Sequence, residues 1–438
     1  MMFKRIRRRC HPLSQTDMYV SLDIGSSSVK VLIGEMTDRS LHVIGVGNVK
    51  SEGIRKGAIV DIDATVQSIK KAVEQAERMI GMSIREVVLG IPANQAMLQQ
   101  VKGVVAVNSE NREITDDDLD RVMHSAEVMI PAERELVNII PQQFIVDDLD
   151  EIKDPRGMIG VRLEMDATLA TTSKTLLHNI LRCVERAGLQ IREIYLQPLA
   201  AGYFALSEDE KSHGTAYIDI GGGSTTIAVF GDGRLVSASA LPIGGDHITK
   251  DLSIILKTTT GQAEQIKHQY GHAYYDDASE DELFEVPVAG VDTKDQYSQK
   301  YISEIIGVRL EELFEMVLDE LYQSGIRDLP GGVVLTGGVS KLEGVPQLAR
   351  EVLQTRVRVY VPEFIGVREP GYSTAVGLIR YAKMEDEFFG NRGESPFGET
   401  MEPAAAAPPV KRKKAERGRE GQEKVVDRMK KIFDKFFE

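Results

Sequence analysis

The sequence predicts an α/β protein built from two similar lobes. When the chain is shifted by 196 positions, Tyr19–Gly34 (YVSLDIGSSSVKVLIG) aligns with Thr215–Phe230 (TAYIDIGGGSTTIAVF). Each segment has alternating apolar residues on both sides of a turn rich in small residues, which predicts a strand hairpin. A third strand pattern follows each hairpin, at Leu41–Val46 and Leu235–Ala240, and helical periodicity comes later. Strands followed by helices, twice over, predict two α/β lobes.

Composition and charge limit the possible classes of protein. Of 438 residues, 42% are apolar and 27% are charged, which is typical of a folded globular chain. Only Cys10 and Cys183 are present, so no disulfide framework is expected, and no apolar run is long enough to predict a transmembrane helix. The formal net charge of the whole chain is −14. Residues 1–10 and 411–438 each carry a net charge of +5, so residues 11–410 carry −24. An acidic body argues against a nucleic-acid partner and leaves the two basic ends to bind anionic surfaces.

Two blocks interrupt the duplicated pattern and divide the chain into segments. The first block contains a helix that starts at a capping-box spacing, Thr115 to Asp118, and the second contains a long amphipathic stretch, Ile302–Leu321. After Ala382 the periodicity stops, which predicts a flexible linker. The predicted organisation is a basic leader at 1–17, with Met18 an alternative start to Met1; a first lobe at 18–84 and 167–196; an inserted subdomain at 85–166; a second lobe at 197–246 and 330–384; an insertion at 247–329; a linker at 385–422; and a terminal helix at 423–438.

Both hairpins turn through Asp-x-Gly followed by small residues, at Asp23 and at Asp219. Glycine and serine leave backbone N–H groups accessible, so such a turn can hold a phosphate, although a single Asp-Gly turn is common in ordinary hairpins. Two such turns in a duplicated pattern are more specific, and a third glycine turn follows a buried strand in Val333–Ser340. The pair is therefore predicted to hold the phosphates of one nucleotide from both sides, with the two aspartates ordering the waters of a Mg²⁺ ion.

The three turns resemble the phosphate-1, phosphate-2 and adenosine motifs of the actin, Hsp70 and sugar-kinase superfamily. The resemblance implies a duplicated, ribonuclease H-like fold with ATP between the lobes and a hinge made by helices at Gln197–Gly202 and Tyr372–Gly377. It gives Lys30 a phosphate contact, Gln197 and Asp219 roles in hydrolysis, and Glu264 and Lys267 a contact with ribose and base, although these last two also fit a solvated i, i+3 pair. The predicted cofactor-binding residues are Asp23, Gly25, Ser26, Ser27, Ser28, Lys30, Gly221, Gly222, Gly223, Ser224, Gly244, Gly245, Glu264, Lys267, Gly337, Gly338 and Val339.

Over residues 18–383 the chain resembles one member of this superfamily, the FtsA family. The segments that carry the resemblance include Asp154–Met165, Gly244–Ser253 and Leu329–Gly338. It implies a cell-division protein with at most slow ATPase activity, whose inserted subdomain contacts other protomers in a filament. It also implies that the second insertion binds the C-terminal tail of FtsZ, with Arg309 on the binding surface, and that further division proteins are recruited. A sugar kinase or an Hsp70-like ATPase of the same fold remains the alternative.

The last 16 residues carry an amphipathic helical pattern. Seven apolar residues fall within an arc of about 140° at 100° per residue, and basic residues flank that face. The pattern predicts a helix that lies on anionic lipid at the cytoplasmic face of the cell membrane, or alternatively one that packs on its own domain or in a partner groove. The resemblance to FtsA favours the membrane. The predicted membrane-facing residues are Val425, Val426, Met429, Ile432, Phe433, Phe436 and Phe437.

Overall fold

The structure is a computed structural model that describes residues 17–37, 40–389 and 397–400. Two five-stranded sheets form the centres of two lobes. In the first, the spatial order is β12-β7-β1-β2-β3, with β1 (Asp17–Ile24), β2 (Ser28–Thr37), β3 (Ser40–Lys50), β7 (Glu86–Ile91) and β12 (Gln190–Leu196). In the second, the order is β19-β18-β13-β14-β15, with β13 (Thr215–Ile220), β14 (Thr225–Gly231), β15 (Arg234–Leu241), β18 (Gly332–Thr336) and β19 (Val357–Val359).

The two sheets repeat the same pairing. β1 is antiparallel to β2 and parallel to β7, and β13 is antiparallel to β14 and parallel to β18. Asp23 is opposite Lys30 in the first hairpin, and Asp219 is opposite Thr226 in the second. The duplication seen in the sequence is therefore also a duplication of topology and register.

Helices cover the sheets and extend the second lobe. α1 (Ile62–Ile80) buries one apolar face; its N-terminal Asp61 accepts a hydrogen bond from the Ala64 amide, and Gly81 ends it in the left-handed conformation. The second insertion contributes a hairpin of β16 and β17 and most of the helices of its lobe. The strands of that hairpin are β16 (Leu283–Pro287) and β17 (Lys294–Ser298). Further helices of the two lobes are α3 (Lys174–Arg186), α5 (Glu208–His213), α6 (Gly245–Ile255), α7 (Thr260–Tyr270), α8 (Gln299–Gln323) and α9 (Val345–Leu353).

Two helices cross closely between the lobes, as their small residues predicted. They are α4 (Gln197–Ala205) and α10 (Ser373–Phe389). A Cβ atom on Gly377 would lie 2.6 Å from the Ala201 Cα, so only glycine permits this approach. The assignment of residues 330–384 to the second lobe was wrong at its end, because α10 packs on the first-lobe sheet, where Ser21 Oγ donates to the Ala375 carbonyl over 2.8 Å.

The inserted subdomain has a four-stranded sheet of order β10-β9-β11-β8 and one helix. Its elements are β8 (Met97–Ala106), α2 (Asp116–Glu127), β9 (Arg134–Val146), β10 (Leu149–Ile152) and β11 (Arg162–Ser173). The predicted bounds of 85–166 were therefore shifted. Residues 86–91 form a buried strand of the first lobe, whereas 167–173 continue the inserted sheet through β11. Thr115 and Asp118 form the predicted capping box.

The four remaining strands are short. β4 (Ile54–Arg55) pairs with β5 (Ala58–Ile59), and β6 (Met82–Ile84) pairs with β20 (Phe397–Thr400). The start of the predicted linker is thus wrong, since α10 continues to Phe389 and 397–400 form a strand on the first lobe. Asp17, predicted to belong to the leader, lies in β1. The rest of the leader and the terminal helix at 423–438 lie outside the described residues, and no helix within the described ranges is long and apolar enough to cross a membrane.

Candidate functional site

The two aspartate hairpins close their turns with the same hydrogen bond. The Gly25 amide donates to the Ser28 carbonyl over 3.0 Å, and the Gly221 amide donates to the Ser224 carbonyl over 3.0 Å. Within the described part of the chain, the amides of the two residues that follow each of these glycines donate to no protein acceptor. Those residues are Ser26, Ser27, Gly222 and Gly223. Four amides without protein acceptors, on two matching turns, are suited to bind an anion.

The turns face each other directly across a cleft between the lobes. A Cβ atom on Gly222 would lie 1.7 Å from Ser27 Oγ, and one on Gly223 would lie 2.7 Å from the Ser26 Cβ. Side chains at the two glycines would therefore collide with the opposite turn. The predicted small residues are required by this close approach of two backbones.

The cleft is a cavity of about 400 Å³. Almost every predicted site residue of the cleft lines it, and those residues come from both hairpins, from the start of α4, from α6 and α7, and from the turn after β18. They are Asp23, Gly25, Ser26, Ser27, Ser28, Lys30, Gln197, Asp219, Gly221, Gly222, Gly223, Ser224, Gly245, Glu264, Lys267, Gly337, Gly338 and Val339. Gly244 is not among the lining residues. It lies behind the second turn, where its Cβ would come within 2.5 Å of the Gly221 carbonyl oxygen.

Asp23 lines the cleft and is held by Gln197, at the start of α4, and by Lys30 of the first hairpin. Its Oδ1 accepts a hydrogen bond of 2.9 Å from Gln197 Nε2, and its Oδ2 lies 3.7 Å from Lys30 Nζ. Burial raises the pKa of Asp23, and the Lys30 charge acts in the opposite direction. The lysine therefore helps to keep the carboxylate charged in a poorly solvated position.

Asp219 is the matching carboxylate of the second lobe. Burial raises its pKa to about 6, and the charge of Asp23 contributes further. Thr374 Oγ1 donates to Asp219 Oδ2 over 3.3 Å, and a Cβ atom on Gly337 would lie 2.3 Å from Asp219 Oδ1. Two repelling carboxylates in one cleft are suited to a cation that neutralises both. Among the described residues, no group of three or more His, Cys, Asp or Glu could hold a metal ion by itself.

Gln197 occupies a space that a glycine provides. A Cβ atom on Gly90, at the end of β7, would lie 2.9 Å from Gln197 Cγ. The Gln197 amide nitrogen is directed to Asp23, while its carbonyl oxygen has no hydrogen bond within the described residues. An oxygen in this position can accept a hydrogen bond from a water molecule in the cleft and so orient it.

Glu264 and Lys267 are not a solvated pair. Lys267 is 4% exposed, and its Nζ donates to the Gly245 carbonyl (3.2 Å), Thr249 Oγ1 (2.8 Å) and Glu264 Oε2 (2.7 Å). All three donors of the ammonium group are therefore used within the protein. Lys267 fixes the first turn of α6 against α7, and mainly its aliphatic stem is left to face a ligand.

The structure adds cleft residues that sequence reasoning missed. Asp246 follows Gly244 and Gly245, and its amide donates to the Gly222 carbonyl over 2.9 Å; burial raises the pKa of its carboxyl group. Asn48 Nδ2 donates to the Tyr372 hydroxyl over 3.1 Å, which joins β3 to the turn before α10. Tyr372 and Thr374 lie in a segment predicted only as a hinge, and Asn48 has no sequence signal of its own.

Arg309 lies at a second concave surface, on α8. Its Nε lies 2.5 Å from Asp251 Oδ2 on α6, and the group also contacts Glu312. Beside it lies an apolar cavity of about 420 Å³ whose walls include Ile254, Ile255 and Val308, the last being 66% exposed. Arg309 is therefore an ion-paired residue at the edge of an exposed apolar surface, and not an isolated solvated arginine.

Two family models match the chain. The model described as "Cell division protein FtsA" matches residues 216–377, and the model described as "SHS2 domain inserted in FTSA" matches residues 93–171. The second match agrees with the inserted subdomain as the structure bounds it. The seven residues predicted to face the membrane lie outside the described residues.

Curated relatives and solved structures agree with these matches. The chain is 58% identical over 371 residues to the cell division protein FtsA of Bacillus subtilis (strain 168), covering 84% of each chain, and 45% identical over 390 residues to that of Enterococcus hirae, covering 89% and 88%. The PilM–PilN type IV pilus biogenesis complex is similar at a TM-score of 0.58 and 18% identity over 83% of this chain and 98% of the other. MreB5 of Spiroplasma citri bound to ADP is similar at 0.52 and 14% identity over 86% and 99%. The predicted fold class, a duplicated actin-like α/β fold with an inserted subdomain, is confirmed.

Proposed function

This chain belongs to the FtsA family of cell-division proteins, and from that premise we propose that it binds ATP between its lobes, assembles into filaments, and tethers FtsZ filaments to the cytoplasmic face of the cell membrane. The observation that carries the nucleotide part is the pair of facing turns with four amides that have no protein acceptor. Similar structures support it, because two structures of Spiroplasma citri MreB5 are described as bound to ADP and to AMPPNP.

In this proposal the turn amides bind the β- and γ-phosphates, and Lys30 approaches them from the first hairpin. Gly337, Gly338 and Val339 contact the adenosine. A Mg²⁺ ion would supply charge neutralisation between phosphates and carboxylates, and Asp23 and Asp219 would hold it through water. Gln197 keeps Asp23 in place and directs its carbonyl oxygen to water in the cleft, which allows slow hydrolysis at most.

The FtsZ tail is proposed to bind at the surface around Arg309. Apolar side chains of the tail would cover Ile254, Ile255 and Val308, and an acidic group would compete with Glu312 for the guanidinium. A peptide of the FtsZ C-terminus titrated against the full chain tests this. Val308→Glu should weaken binding at least tenfold, while Val291→Glu, also on an exposed valine (59%), should not. Equal binding by both variants would contradict the assignment.

Filament formation is proposed to use the inserted subdomain. Val128 is 83% exposed at the end of α2, and Ile159 is 74% exposed in the loop before β11. Both are large apolar side chains that the inserted subdomain leaves uncovered, which makes them the residues to test as filament contacts. Sedimentation with ATP should show less polymer for Val128→Asp than for Ile365→Asp, a control on the second lobe that is also 83% exposed.

Membrane docking is proposed from the sequence of residues 423–438. Burying seven apolar side chains at roughly 1.5 to 3 kcal/mol each gives on the order of 10 kcal/mol before the cost of ordering the helix is subtracted. What remains is enough for reversible binding. Lys424, Arg428, Lys430 and Lys435 flank the apolar face and would approach anionic headgroups.

Two substitutions in the full chain separate the nucleotide and membrane functions. Asp219→Ala should bind ATP at least tenfold more weakly and still co-sediment with anionic liposomes. Phe433→Glu should bind ATP normally and no longer co-sediment with the liposomes. Asp209→Ala, on an exposed aspartate, and Phe433→Leu are the matched controls. If the wild-type protein bound no ATP, or if Asp219→Ala bound it equally well, the cleft assignment would be wrong; equal pelleting of Phe433→Glu and wild type would remove the membrane assignment.

A further inference from the structure

A polar contact joins the inserted subdomain to the second lobe, far from the cleft. Arg234, the first residue of β15, donates through its guanidinium to Gln142 Oε1 on β9. Gln142 Nε2 donates in turn to Gln100 Oε1 and to Thr168 Oγ1, both over 2.7 Å. Gln142, Gln100 and Thr168 come from three neighbouring strands of the inserted sheet, so the side chain that accepts from Arg234 is itself held by the two strands beside it.

Local backbone geometry directs both partners of this contact. Asp232 and Gly233 have φ of 53° and 76°, which is the two-residue turn that joins tightly twisted strands, and it places Arg234 at the tip of the β14–β15 hairpin. On the other side, Asp166 pairs with Gln143 and Ala167 pairs with Pro141, so Gln142 is the extra residue of a β-bulge. A bulge turns a side chain out of the regular alternation of a strand.

The strand that leads to this tip, β14, begins at the second phosphate turn. β14 runs from the turn at Gly222 and Gly223, which contacts Ser27 and Ser26, to the tip that contacts Gln142. Near its far end, Phe230 is fully buried, and a Cβ atom on Gly202 of α4 would lie 2.5 Å from the Phe230 Cε2. Phe230 packed on Gly202 therefore fixes β14 against the hinge helix between its two contacts.

β14 moves as one body with the second-lobe sheet, because it is hydrogen-bonded to β13 on one side and to β15 on the other. At about 3.3 Å per residue, the phosphate turn lies roughly 23 Å along β14 from Phe230. Arg234 pairs with Gly231 and so lies beside the first residue beyond Phe230. The cleft contacts and the Arg234 contact both join this sheet to the other half of the molecule, so both depend on one relative position of the lobes, the closed arrangement that the structure describes.

We propose that Arg234 and Gln142 form a latch that couples closure of the cleft to the inserted subdomain. The coupling rests on the proposed nucleotide site, and it supplies the physical route by which a ligand in the cleft changes a surface proposed for filament contacts. A ligand that favours the closed state strengthens the latch, and by linkage the latch raises the affinity for that ligand. Removing Arg234 should uncouple the inserted subdomain from closure of the cleft without changing any group proposed to contact the nucleotide.

Hydrogen–deuterium exchange of the full chain with and without ATP and Mg²⁺ tests the latch. In the wild type, ATP should slow exchange both in the two phosphate turns and in β8 and β9. Arg234→Ala should keep the protection of the turns and lose more than half of the protection in β8 and β9. Its ATP affinity should fall about two- to fivefold, the range of one exposed charged contact. Arg327→Ala, which removes an exposed arginine elsewhere on the second lobe, should behave as the wild type.

A second variant tests the direction of the effect. Gln142→Glu places a carboxylate opposite Arg234 and removes the amide donor, which Gln100 can replace by turning its own amide nitrogen toward the carboxylate and Thr168 by turning its hydroxyl hydrogen. The variant should therefore strengthen the latch, and its ATP affinity should not fall; the added effect should vanish in the Arg234→Ala background. If β8 and β9 of Arg234→Ala remained as protected as in the wild type, the latch would be refuted while the nucleotide site stood. If ATP protected the turns of the wild type but left β8 and β9 unchanged, the latch would also be refuted. Failure of ATP to protect the turns would overturn the nucleotide site and the latch with it.

Discussion

Gly222 provides the sharpest test of the claim that two backbones meet across one ligand. Replacing it with alanine adds a Cβ atom 1.7 Å from Ser27 Oγ and 3.0 Å from both the Ser27 Cβ and Asp246 Oδ1. The hydroxyl can rotate away, but the Ser27 Cβ cannot without moving the first turn. The substitution therefore opposes closure of the cleft and leaves each lobe intact.

The size of the effect follows from the cost of overpacking, which is about 1 to 3 kcal/mol. If that cost falls on the closed state alone, ATP affinity should drop by about 5- to 150-fold, since 1.4 kcal/mol corresponds to a factor of ten. The melting temperature of the nucleotide-free protein should change little, because an open cleft relieves the collision. Titration of the full chain with a fluorescent ATP analogue measures the affinity.

A rescue experiment and a control complete the test. Ser27→Gly in the same chain removes both serine atoms from the collision, so the double variant should regain affinity relative to Gly222→Ala alone, a non-additivity expected only of residues in contact. Gly261→Ala, where no atom lies within 4 Å of the new Cβ, is the matched control. Wild-type affinity in Gly222→Ala, or no recovery in the double variant, would refute the closed-cleft geometry.

Three further outcomes follow from the structure. Because burial raises the pKa of Asp219 from 3.8 to about 6, the ionised carboxylate destabilises the folded state; this destabilisation is absent below pH 4, grows as pH rises through 6 and is complete above about pH 7. Asp219→Asn should therefore gain about 1 to 2 kcal/mol over the wild type as pH rises from 5 to 8 in urea unfolding without nucleotide, and a pH-independent difference would contradict this. Gly377→Ala should lower the free energy of unfolding by about 1 to 3 kcal/mol, because the new Cβ meets the backbone of Ala201, and stability equal to that of Gly261→Ala would show that the helices can separate freely. Lys267→Met should cost about 1 to 3 kcal/mol, since Glu264 loses its buried cation, whereas Lys294→Met, which breaks an exposed pair with Glu285, should stay within about 0.5 kcal/mol; similar losses in both would argue against a structural role of Lys267.

The parts of the fold that could be predicted are those whose sequence pattern occurs twice in the chain. The repeat around Asp23 and Asp219 predicted the two hairpins and their facing arrangement, because the same alternation and the same small residues recur at one spacing. The small residues of α4 and α10 predicted a close crossing, and Gly377 against Ala201 confirms it.

The predictions failed where the local sequence pattern of an element is compatible with two positions in the fold. Residues 86–91 are buried on both faces, and such a run looks the same in the lobe or in the inserted sheet. Glu264 and Lys267 have the spacing of a solvated helical pair, and only the packing of α6 on α7 makes that lysine a buried one. Asn48 and Tyr372 are 324 positions apart, so no local pattern could have placed them in contact.

The matching strand order of the two lobes also bears on ligand orientation. The two equivalent turns form two half-sites that are nearly alike. A binding site made of two like halves cannot by itself distinguish the two ends of an asymmetric molecule. Polarity must come from positions where the halves differ. Lys30 stands where the other half has Thr226, and the Lys267–Glu264 pair lies on the second lobe, so the two sides of the cleft present different groups to an asymmetric molecule.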